Sequence, residues 1–113
     1  MRITVSISPA GMRKEGASYD LPIAIGMMIA LGYIPEENVR NTLVIGELGL
    51  DGEVKTVKGV LPIVQRAKQE NIKRCIVPIA NVKEGAIIDN IEIIGVSDLK
   101  ETINYLKEKE ENK

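Results

Sequence analysis

The chain opens on strict alternation. Ile3, Val5 and Ile7 are apolar, while Arg2, Thr4, Ser6 and Ser8 between them are polar. Period two of this kind predicts a half-buried strand over 2–8. Pro9 stops it, and a polar stretch with Gly11 and Gly16 follows to Ala17. The pattern then changes. From Leu21 to Leu31 nearly every residue is apolar, with Ile23, Ile25, Met27, Met28, Ile29 and Leu31 leaving almost no polar face. A helix apolar all round is expected to be central and covered on most sides. It should begin between Ser18 and Leu21, because Ser18 and Asp20 are both suitable N-caps and Pro22 is tolerated only in a first turn. Gly32 is a natural terminator.

Beyond a polar connection, 42–50 reads as a strand, and Asp51-Gly52 marks a hairpin that returns over 53–57. Gly46 and Gly49 within the first arm point to a bulge or a close backbone approach. Lys58-Gly59 leads to a second helix over 60–71, with Val60, Ile63, Val64 and Ala67 inward and Gln65, Arg66, Lys68, Gln69 and Glu70 outward. A strand over 74–77, a short helix over 82–88, a strand over 91–96 and a last helix capped by Ser97 complete the order. Lys100-Glu101 fall in the capping-box region of that helix, and Leu99, Ile103 and Leu106 form its stripe. Strands and helices alternating around one firm hairpin predict an α/β or α+β domain, one mixed sheet with helices mainly on one face. The domain spans 1–106, and 107–113 is a charged tail or linker. A chain that starts at once in a strand reads as a fragment of a longer protein.

Composition narrows the chemistry. With 113 residues and 44% hydrophobic content the chain supports one core, and that core is aliphatic because Trp and Phe are absent. A formal charge of −1 and three tyrosines offer neither the basic excess nor the aromatic platform of a freestanding nucleic-acid binder. The single cysteine, Cys75, excludes an intrachain disulfide and reads as a small buried apolar residue in a strand. No run of apolar residues reaches membrane-spanning length, and a cytoplasmic protein is expected. The absence of histidine removes the usual general base and zinc ligand, and no metal site is expected. Gly46 to Gly52 is glycine-spaced but lies in a hairpin, so it is no phosphate loop.

Ser18 is the nucleophile candidate with the best position, at a loop-to-helix junction. Without histidine its activator would have to be a lysine, partly desolvated so that it can accept a proton. Lys14 and Lys58 are the candidates, and neither is placed beside Ser18 by the sequence. A cap and a nucleophile both remain open readings of Ser18.

The run from Ser8 through Lys14-Glu15-Gly16-Ala17-Ser18-Tyr19-Asp20-Leu21-Pro22-Ile23 to Gly26 resembles a signature of Mg-chelatase-related, ComM-type AAA+ ATPases, in their N-terminal ChlI-type domain. Ile45-Gly46-Glu47-Leu48-Gly49-Leu50-Asp51-Gly52-Glu53-Val54, then Lys58-Gly59-Val60-Leu61-Pro62, is similar to that family's next block. The hairpin block is shared with the C-terminal domain of RadA and with the Lon protease domain. The resemblance implies a ribosomal-protein-S5 domain-2-like fold. It sets Ser18 on the nucleophile position of Lon and Leu61 on the position of its catalytic lysine. Tyr19-Asp20 replaces the small Ala-Gly that follows the Lon serine. Leucine cannot take a proton, so the dyad is broken and this fragment is expected to be no enzyme and to bind no cofactor.

For the parent, the resemblance implies a hexameric, ATP- and Mg-dependent DNA branch-migration motor of natural transformation. This chain would be its non-catalytic accessory or assembly domain. The expected partners are its own AAA+ module and neighbouring protomers, with no membrane. The loop residues Arg13, Lys14, Glu15, Ser18 and Asp20 form a possible interaction surface. DNA contact through Arg13 and Lys14 is expected only in an assembled ring, where many copies of a small basic patch add up. The alternative is a Ser-Lys peptidase that uses Ser18, with Lys58 or Lys14 in place of the missing lysine.

Overall fold

The computed structural model describes residues 19–108. The first expected strand therefore lies outside the described residues, as do Arg13, Lys14, Glu15 and Ser18.

Helix α1 (Asp20–Ala30) starts without a side-chain cap. Pro22 sits in its first turn, where a missing N–H costs little. The N–H of Leu21 instead reaches across to the carbonyl of Gly46 at 2.9 Å. Gly32 ends the helix at φ +88°, with Tyr33 N–H donating to Met28 O at 2.9 Å and Gly32 N–H to Ile29 O at 3.0 Å. This Schellman pair satisfies two carbonyls that a helix end would otherwise leave bare. A 3₁₀ turn (Glu36–Val39) then leads to the sheet.

Strands β1 (Thr42–Val44), β4 (Arg74–Pro78) and β5 (Glu92–Val96) form a parallel sheet in the order β1-β4-β5. In its register Leu43 lies beside Cys75 and Cys75 beside Ile93, while Val44, Ile76 and Ile94 form the next row. Strands β2 (Glu47–Leu48) and β3 (Val54–Lys55) make a separate antiparallel hairpin. The long strand expected over 42–50 is thus two strands in two sheets, broken at Ile45-Gly46. Gly46 meets the expectation of a close approach. A Cβ there would stand 3.0 Å from Val54 Cγ1 and 3.1 Å from Leu21 Cδ2.

Helices α2 (Val60–Gln69), α3 (Val82–Gly85) and α4 (Leu99–Glu108) complete the chain, with a 3₁₀ turn (Ile79–Asn81) before α3. The short helix expected over 82–88 is therefore shorter. The α+β class holds, but helices cover both faces of the parallel sheet. On one face Leu21 and Ile25 of α1 and Leu106 of α4 pack with Val44, Ile76 and Val96. On the other, Val60, Val64 and Ala67 of α2 pack with Leu43, Cys75 and Val77. Alternate residues of each strand thus feed two cores. This explains why β4 reads as a continuous apolar run rather than an alternating one.

Two helix ends differ from expectation. Asp98, not Ser97, caps α4. Its Oδ1 accepts from Glu101 N–H at 2.7 Å, and Glu101 Oε1 reaches back to Ser97 N–H at 2.7 Å. Ser97 is held by its backbone, since its carbonyl takes Val54 N–H at 2.8 Å. In α2 the left-handed residue past the end is Asn71, φ +66°. It serves a second Schellman pair, Ile72 N–H to Ala67 O and Asn71 N–H to Lys68 O, each at 3.0 Å.

Helix α1 also departs from the cover on most sides expected for it. Leu21, Pro22 and Ile25 are buried, yet Ile23, Met27 and Leu31 are more than half exposed.

Candidate functional site

Of the residues singled out from the sequence, Asp20, Lys58 and Leu61 are described. Asp20 is half-buried in the first turn of α1. Its Oδ2 accepts the N–H of Leu48 in β2 at 3.1 Å. The carboxylate is therefore a strut between α1 and the hairpin. It does not act as the expected N-cap, because the helix has already begun at this residue and the side chain is engaged elsewhere. Together with the Leu21–Gly46 bond it fixes the start of α1 against the β2 arm.

Leu61 lies in the first turn of α2, partly buried. Gly59 precedes the helix at φ +74°, a conformation that favours glycine. Lys58 before it is exposed. The backbone N–H of Leu61 donates to Glu84 Oε2 of α3 at 3.0 Å. The other oxygen, Glu84 Oε1, accepts from Asn81 Nδ2 at 3.3 Å. Asn81 is 6% exposed and carries the rest of the network. Its Oδ1 accepts Val57 N–H at 3.0 Å and the Thr56 hydroxyl at 3.1 Å, and its Nδ2 donates to Val57 O at 2.9 Å.

One amide and one carboxylate thus clamp the chain after β3, the start of α2 and the start of α3. A carboxylate at a helix N-terminus is also favoured by the peptide dipoles. The clamp has chemical consequences. The side chain at position 61 is hydrocarbon, so it can neither take nor give a proton. Its backbone N–H is held by the carboxylate of Glu84.

Asn81 and Glu84 were not singled out from the sequence. Asn-x-x-Glu before an apolar position is a capping-box signature, and that signal was available. Neither side chain caps α3 itself. Both turn to neighbouring elements.

Cys75 is fully buried in β4, and desolvation pushes its thiol up to about 12 from 9.0. It packs as the small apolar residue expected and offers no thiolate at neutral pH. Among the described residues no group of three or more Cys, Asp or Glu converges to hold a metal ion, and no helix is long and apolar enough to cross a membrane.

Known proteins are similar to most of this chain. An uncharacterised protein of Mycobacterium bovis is 39% identical over 94% of the chain. The competence protein ComM of Haemophilus influenzae is 30% identical over 96% of it, and Lon protease 2 of Bacillus subtilis is 36% identical over 87%. These matches cover 21%, 21% and 18% of the respective relatives, so the chain spans about a fifth of their length. Residues 1–81 match the family described as subunit ChlI of Mg-chelatase. The chain therefore belongs to this Mg-chelatase-related family, the one its loop and hairpin motifs resemble.

Proposed function

We propose that this chain is a non-catalytic accessory domain that helps assemble a ComM-type AAA+ ATPase. The observation that carries the reading is the first turn of α2. There Leu61 stands at the position that matches the Lon lysine, its N–H tied to the carboxylate of Glu84. Lys58, the described lysine that could substitute, is exposed. A serine at position 18 then lacks the lysine that the Lon dyad supplies from this turn.

The similarity to competence protein ComM supports the parent class. In this reading the parent is a cytoplasmic hexamer that uses ATP and Mg to drive branch migration of DNA. ATP and Mg belong to its motor module, and this domain contacts that module and the neighbouring protomers. DNA meets Arg13 and Lys14 only within the ring.

The test uses the full-length parent. Ser18→Ala should leave ring mass and DNA-stimulated ATP turnover unchanged, and removal of the domain should shift native mass from the hexamer to smaller species. A hexamer that survives removal contradicts the assembly role. Loss of turnover in Ser18→Ala with an intact ring contradicts the non-catalytic one.

A further inference from the structure

We draw no further inference here: the strongest candidate, the outer edge of β5, where the backbone groups of Ile93 and Gly95 face away from β4, carries nothing because nothing among the described residues shows what covers it.

Discussion

Asn81 ties the chain after β3 to Glu84 with one side chain, and replacing it measures the clamp directly. Asn81→Ala removes four hydrogen bonds and leaves the N–H and carbonyl of Val57 without their partner. Stranding two such groups costs about 3 kcal/mol at 1–3 kcal/mol each. For a domain of this size each kcal/mol lowers Tm by about 4–6 °C, so the expected fall is roughly 12–18 °C. Asn81→Asp is the sharper variant, because it keeps shape and acceptors while losing both donors. Its carboxylate would stand opposite Glu84 Oε1, where the native N···O separation is 3.3 Å. Two like charges there repel by up to ~5 kcal/mol at an effective dielectric of 20. Asp should therefore be at least as damaging as Ala at pH 7. The sign with pH follows from proton sharing. The crowded pair binds a proton more readily folded than unfolded, so stability is present at low pH and lost as pH rises. Urea denaturation of both variants at pH 4 and pH 7, followed by circular dichroism, reads this out. The Asp deficit should shrink at pH 4 while the Ala deficit does not. An Asp variant as stable as wild type at pH 7, or a deficit unchanged between the two pH values, would refute the clamp as described.

Other substitutions follow from close contacts and backbone geometry. Gly46→Ala places a methyl 3.0 Å from Val54 Cγ1 and should cost about 1–3 kcal/mol in urea unfolding. Asn71→Gly should gain up to about 1 kcal/mol because φ there is +66°, and Asn71→Val should lose at least as much by the same measurement. The Cys75 thiol should react with a disulfide reagent only as the chain unfolds. Its pKa is raised to about 12 from 9.0, so its stabilising contribution is whole below pH 9 and is lost as pH rises toward 12. In that window stability should fall by about 1.4 kcal/mol per pH unit more in wild type than in Cys75→Ala.

Local pattern made much of the fold legible. The inward face of α2 was fixed by helical spacing, and Val60, Val64 and Ala67 are buried as that spacing requires. The strands over 74–77 and 91–96 were readable from β-branched runs bounded by turn residues. What was not legible depends on distant partners. The break at Gly46 exists because Leu21 and Val54 close over it, and neither is a sequence neighbour. The two-sided cover of the sheet follows from which helices return to which face, and no period in the chain encodes that. Moving the α4 cap from Ser97 to Asp98 reflects a backbone bond from Val54 to Ser97. The uniform apolarity of α1 was read as cover on most sides, whereas the described residues cover only the Leu21 and Ile25 side. At the candidate site, the hydrocarbon at position 61 was visible in the sequence. The carboxylate on its backbone was not, because Glu84 belongs to another helix.

The most direct measurement is serine reactivity of the intact chain. A fluorophosphonate probe is incubated with wild type and Ser18→Ala, adducts are read by intact mass, and cleavage of an unstructured protein substrate is followed in parallel. The account predicts no adduct that depends on Ser18 and no cleavage. An adduct present in wild type and lost in Ser18→Ala, together with substrate cleavage, would contradict it.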